Sequence, residues 1–259
     1  MKRLTFVRSL SALTERDFKL KYVGSIVGVY WHLIHPIVMV ALYTLVFSNL
    51  MKSKFDMNSS KYAYSLYLCS GLLAWNFFTE LANRGCLVLS ENKDFIKKLS
   101  FKPYILFFAS SLACLFNFFI SFGVYNLALV FIDPPSPSEF LSYLGIVFLF
   151  GVFGSCFAIV LGCLNVFLKD IYYANQILFQ LLFWATPIVY LQSSLPSFAK
   201  KMVYFNPVFL FIESMHQILF FHRIPEAFLL GLVLLWTVLG LLISAFVYTR
   251  SISLLRDHL

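Results

Sequence analysis

The chain has 259 residues, of which 60% are hydrophobic and only 12% charged, and its 20 Lys and Arg against 12 Asp and Glu give a net charge of +8. A soluble domain carries about 25% charged residues, so this composition, with a mean hydropathy of +0.82, excludes an ordinary water-soluble fold. The basic excess points to membrane orientation rather than to nucleic acid, because Lys and Arg collect on the cytoplasmic side of membrane proteins.

Continuous apolar runs of about 20 residues are long enough for helices to cross roughly 30 Å of hydrocarbon, and no alternating pattern of a membrane barrel is present. An all-α integral membrane protein is therefore expected. Before the first run, Leu4, Val7, Leu10 and Leu13 recur at helical spacing between Arg3, Arg8 and Arg16, which predicts an amphipathic interfacial helix. No continuous apolar core and cleavage site occur there, so no cleaved signal peptide is expected.

The first span is predicted from about Val29 to Met51 and the second from about Tyr62 to Asn83. The third covers about Tyr104 to Ile132 and the fourth Phe140 to Phe167, separated by Asp133-Pro134-Pro135-Ser136-Pro137, which cannot continue a helix. The fifth covers about Ala174 to Leu191 and the sixth Phe228 to Thr249. Between them, Pro196, Pro207 and Pro225 divide Gln192 to Ala227 into pieces too short to cross, which predicts re-entrant or surface-lying half-helices. Asn206-Pro207 supplies a helix start, an N-cap side chain followed by a residue suited to the first turn.

With six spans, one side of the membrane receives only Lys52, Lys54, Lys61, Lys200, Lys201 and Arg223 of the 20 basic residues. The other side receives the rest, which puts both termini in the cytoplasm.

On a helical wheel the first span gathers His32, His35, Met39, Tyr43 and Phe47 with Pro36, and the fifth gathers Gln176, Gln180, Phe183, Pro187 and Tyr190 with Trp184 at the edge. Polar groups in hydrocarbon need partners, so these faces turn either toward a wet cavity or against neighbouring helices. Most of the 31 Phe and 14 Tyr are expected in lipid-facing positions and interfacial belts; only those on the two polar faces bear on a sugar path, where a ring stacks on the apolar face of a sugar. Gly154, Ala158 and Gly162 form a small-residue stripe for close helix packing. Glu80, and Glu213 with His216, are expected in structural pairs or at the interface rather than in a proton relay. The five cysteines contain no Cys-x-x-Cys, and no Gly-x-x-x-x-Gly-Lys-Ser/Thr loop is present to hold a nucleotide.

Arg16-Asp17-Phe18-Lys19-Leu20-Lys21-Tyr22, then Gly24-Ser25, Gly28, Trp31 and Pro36, resembles the opening of the type-2 ATP-binding-cassette exporter permeases. Further matches are Phe95-Ile96-Lys97-Lys98 with Phe101 and Pro103, Leu164 to Ile171, Leu182 to Tyr190, and Asn206-Pro207. Within that superfamily the chain most resembles the exporters of O-antigen and related polysaccharides. The resemblance implies one permease domain over residues 1–259, working as a homodimer with two copies of a separate ATPase that handles ATP and Mg. The chain itself would be no enzyme and bind no cofactor. It implies a channel lined by the first and fifth spans, through His35, Met39, Tyr43, Phe47, Gln176, Gln180, Phe183, Trp184 and Tyr190. Residues 84–103 would receive the ATPase stroke through Asp94, Phe95, Lys97 and Lys98, with Arg16 and Asp17 of the segment 1–27 beside them. Residues 192–227 resemble the external gate helices, with Asn206, Pro207, Glu213 and His216. The expected task is export of a lipid-linked polysaccharide across a bacterial inner membrane. Capsule polymer, teichoic acid or a small hydrophobic molecule are alternative substrates, and a membrane acyltransferase or a motorless channel are rival classes.

Overall fold

The computed structural model describes residues 63–93, 96, 103–132 and 134–258, with positions 14, 30, 31, 34, 37–39, 41, 42 and 45 before them. The predicted interfacial helix and first span therefore fall almost wholly outside the described residues, although the described positions from Trp31 to Leu45 are helical. Seven α-helices are bounded among the described residues, and none of those residues lies in a strand: α1 (Ala63–Glu91), α2 (Tyr104–Ile132), α3 (Pro137–Phe167), α4 (Ile171–Ala185), α5 (Ser197–Met202), α6 (Pro207–Leu219) and α7 (Ala227–His258).

Local sequence sets several ends. Ser136 caps α3 in a reciprocal capping box with Glu139, and Pro137 occupies the first turn. Asn206 caps α6, its Oδ1 accepting from the Val208 amide at 3.1 Å. At the other end of α4, Pro187 forces Thr186 out of the helical region to φ −100° and ψ 127°. The helix therefore stops at Ala185, short of the predicted Leu191.

Among the described residues, three helices are long and apolar enough to cross a membrane: α2, α3 and the Ala227–Ile252 part of α7. The 29 residues of α1 match them in length, but Ser65, Ser70, Asn76, Thr79, Glu80, Asn83, Arg84 and Ser90 make it more polar. It tolerates them because it is central, packed most extensively on α3 and α2 and also against α6 and α4. With 15 residues, α4 is only about 22 Å long, and residues 186–190 continue from it as non-helical chain.

The α1–α3 contact uses the small-residue stripe. A Cβ at Gly85 would overlap Ala158, and one at Gly162 would overlap the Gly85 carbonyl and the Phe107 ring. Aromatic rings fill the adjoining space. Phe78 of α1 stacks on Phe150 and Phe153 of α3, and Phe211 of α6 stacks on the same two at 4.7 and 5.3 Å. Many phenylalanines expected to face lipid are thus core residues, since sequence alone does not divide a uniformly apolar helix into inner and outer faces.

Candidate functional site

The last turn of α4 and the chain that follows it meet α1 and α6 in a buried polar junction. The Tyr64 hydroxyl donates to the Val189 carbonyl at 2.7 Å, and the Tyr67 hydroxyl lies 3.3 Å from the carbonyls of Pro187 and Tyr190. Two tyrosines on one face of α1 therefore hold the non-helical segment through its backbone, satisfying carbonyls that the break in α4 leaves without helical partners. Thr186 returns its hydroxyl to the Leu182 carbonyl at 2.7 Å and accepts from Asn206 Nδ2 at 2.8 Å. Asn206 thus caps α6 with its oxygen and ties α6 to the end of α4 with its nitrogen.

Below this junction His216 is fully buried and stacks on Tyr67, ring centroids 3.9 Å apart. Its Nε2 is 3.1 Å from the Tyr67 carbonyl, which can only accept, so Nε2 carries the proton. Nδ1 is left as a buried acceptor with no partner among the described residues. Burial pushes the imidazole down to about 3, with the bond to Tyr67 a smaller opposing effect, so His216 is neutral. Glu213, 8% exposed, accepts from Gln217 Nε2 at 3.1 Å, and burial pushes its carboxyl above the usual carboxylate range. The structure places both residues inside the protein, not at the interface, because α6 is enclosed by α1, α3 and α7. The apolar length of this helix is the same whether it lies on a surface or enters the fold, so its depth was not readable.

The α4 face is different. Gln176, Gln180 and Trp184 are exposed, with Tyr173, Ile177 and Leu181 beside them. Phe183 turns inward, edge-on to Trp75 at 5.5 Å. Tyr190 is off the helix, and its hydroxyl reaches back to the Trp184 carbonyl at 2.8 Å. The wheel that grouped Pro187 and Tyr190 with this face assumed a helix through Leu191, and Pro187 removes that premise; it is itself buried. From the first span only Met39 lies among the described residues, half-buried. His32, His35, Tyr43 and Phe47, and the predicted coupling residues Arg16, Asp17, Asp94, Phe95, Lys97 and Lys98, lie outside them.

Several polar contacts were missed because isolated amides in apolar runs carry no pattern. Asn83 Oδ1 of α1 accepts from Asn175 Nδ2 at 3.1 Å and from Gln176 Nε2 at 2.8 Å, both on α4. One turn earlier, Glu80 accepts from Asn117 Nδ2 of α2 at 2.7 Å and pairs with Arg84 at 3.4 Å. These bonds join α1, α2 and α4 and give the polar residues of α1 partners inside the bundle. All five cysteines are buried and none is in a disulfide, and no metal-binding cluster occurs among the described residues.

The profile of the ABC-2 type transporter family matches residues 8–220 of this chain. An O-antigen export system permease protein, RfbA, of Klebsiella pneumoniae is 25% identical over 248 residues, covering 90% of each chain. RfbA of Myxococcus xanthus is 26% identical over 221 residues, covering 84% of this chain and 82% of its own. A further Klebsiella pneumoniae RfbA is 24% identical over 244 residues, covering 90% and 89%.

Proposed function

Because this chain belongs to the ABC-2 type transporter family, we propose that it is the membrane-spanning subunit of an ATP-driven exporter that moves a lipid-linked polysaccharide of the O-antigen type outward across a bacterial inner membrane. The observation that carries this reading is end-to-end similarity to permeases named for O-antigen export, with about nine-tenths coverage of both chains in two of the three relatives. The chain is a permease and not an enzyme; ATP and Mg belong to a separate ATPase subunit. It crosses the membrane six times with both termini in the cytoplasm, as its distribution of Lys and Arg supports.

The working unit is a homodimer with two ATPase copies, and its channel runs between the two permeases. The exposed glutamines of α4 support this, since Gln176 and Gln180 are costly against lipid but suited to a wet surface. Trp184 beside them offers a ring face on which sugars slide without a tight site. Residues 84–103 couple the ATPase to the bundle. Residues 192–227 form the external gate, anchored through Asn206, Thr186 and the tyrosine-held segment. Polymer passage requires residues 186–190 to keep their shape while chain slides past, and the four backbone-directed bonds of Tyr64, Tyr67 and Tyr190 support that role.

Affinity purification of the tagged chain from its native membrane in mild detergent tests the assignment. A stoichiometric nucleotide-binding subunit with ATPase activity is expected; a chain that reproducibly purifies alone contradicts it.

A further inference from the structure

A cleft of about 350 Å³ opens where α1 ends and α4 begins, lined by Leu87, Ser90, Lys93, Asn165, Val166, Lys169, Tyr172 and Tyr173. That volume falls within the range of small-ligand sites, roughly 300–1,000 Å³. Its chemistry is one-sided: the described lining includes two lysines, two tyrosines, a serine and no acidic residue. Lys93 and Lys169 are both exposed and form no ion pair among the described residues.

Two further features converge on the cleft. Asp170 makes no side-chain cap on α4, whose first turn holds Tyr172 and Tyr173 at positions that helix geometry leaves without an intrahelical acceptor, and both residues line the cleft at the positive end of that helix. Asn165 is 4% exposed and its Nδ2 donates to the Cys86 carbonyl at 3.0 Å, but its Oδ1 is buried with no partner among the described residues. A buried amide oxygen without a donor costs stability, about 1–3 kcal/mol for a group of this kind, and Asn165 is among the residues that line the cleft.

The cleft thus presents ammonium and phenol donors for an anion beside the first turn of α4, and its lining residue Asn165 keeps one acceptor without a donor among the described residues. We propose that it is a binding site for the hydroxyl-bearing phosphate headgroup of a membrane lipid, with the phosphate between Lys93 and Lys169 and a neighbouring hydroxyl donated to Asn165 Oδ1. The apolar entrance fits this: Leu87 and Val166 line the cleft, and exposed Phe167, Leu168 and Tyr173 lie next to it along the chain. Both lysines belong to the basic-rich side of the sequence, where anionic headgroups gather at a cytoplasmic surface. The site rests on the membrane reading alone and not on the identity of the exported polymer, so it stands or falls separately from it.

The test measures thermal unfolding of the full-length chain in a neutral detergent, titrated with dioctanoylphosphatidylglycerol, with dioctanoylphosphatidylcholine as the headgroup lacking free hydroxyls and net charge, and with inorganic pyrophosphate. Phosphatidylglycerol is expected to raise the melting temperature saturably while phosphatidylcholine does not. The double substitution Lys93→Gln with Lys169→Gln should leave the ligand-free melting temperature unchanged and weaken the apparent affinity at least tenfold, and Lys93→Arg with Lys169→Arg should restore it. A larger effect of pyrophosphate than of phosphatidylglycerol would overturn the lipid assignment in favour of a free phosphate. Equal response to the two lipids, or undiminished binding by the double glutamine variant, would overturn the site itself.

Discussion

The Tyr67 ring lies flat against His216, centroids 3.9 Å apart and planes 28° from parallel, while the Tyr67 hydroxyl reaches in the other direction to the backbone after α4. One side chain thereby joins the buried helix α6 to the broken end of α4. Replacing Tyr67 by Phe keeps the stack and removes the bonds to Pro187 and Tyr190. Each net hydrogen bond is worth about 1 kcal/mol, so Tyr67→Phe should lower stability by about 1–2 kcal/mol, read as a lower melting temperature in detergent. It should also reduce export, because residues 186–190 lose their hold.

The neutral state of His216 gives a pH signature. In the unfolded chain an imidazole takes up its proton near about 6.5, whereas in the folded protein it does so only near about 3. Between these values the unfolded state binds the proton and the folded state does not, so this residue makes stability fall as pH drops through about 6.5. Glu213 acts in the opposite sense: its raised folded value makes its contribution less favourable as pH rises above the ordinary carboxyl range. Melting curves at several pH values between about 5 and 7 should show the wild type losing stability toward acid relative to His216→Gln, in which only the opposing effect of Glu213 remains.

Glycines of this chain differ sharply in what they allow. A Cβ at Gly85 would overlap Ala158, whereas one at Gly123 would meet nothing within 4 Å. Gly85→Ala must force α1 and α3 apart, costing about 1–3 kcal/mol by overpacking. Gly123→Ala in α2 should be neutral or stabilising by up to about 1 kcal/mol through helix propensity. Chemical or thermal unfolding of the two variants side by side checks the contrast.

Neighbouring aromatics on α4 should separate function from stability. Trp184 is 64% exposed, while Phe183 packs on Trp75. Trp184→Ala, alone or with Gln180→Ala, should leave the melting temperature of the purified chain nearly unchanged and reduce polymer export. Phe183→Ala should destabilise the chain by up to about 3 kcal/mol, read as a lower melting temperature, because its partly buried ring packs on Trp75. Immunoblots of surface polymer together with melting curves distinguish the two.

Much of the architecture was legible from the residues. The bounds predicted for the third span coincide with α2, Tyr104–Ile132, because Pro103 and the Pro134-Pro135 run bracket an unbroken apolar stretch. Asn206-Pro207 read as a helix start for the same local reasons that the structure shows, a cap and a first-turn proline. What was not legible depended on contacts distant in sequence. A wheel run through Pro187 misplaced Tyr190, whose position is set by its bond to Trp184 and the hold of Tyr67. The depth of α6 is decided by α1, α3 and α7 enclosing it. The asparagine contacts Asn83 to Asn175 and Asn165 to Cys86 join residues 92 and 79 positions apart, and no periodicity announces them.

The central claim, export of a lipid-linked polysaccharide, is tested most directly by deleting the gene and following the polymer. The account predicts that the deletion strain loses surface polysaccharide while lipid-linked polymer accumulates on the inner face of the membrane, both reversed by the wild-type chain. Undiminished surface polysaccharide with no internal accumulation would contradict it.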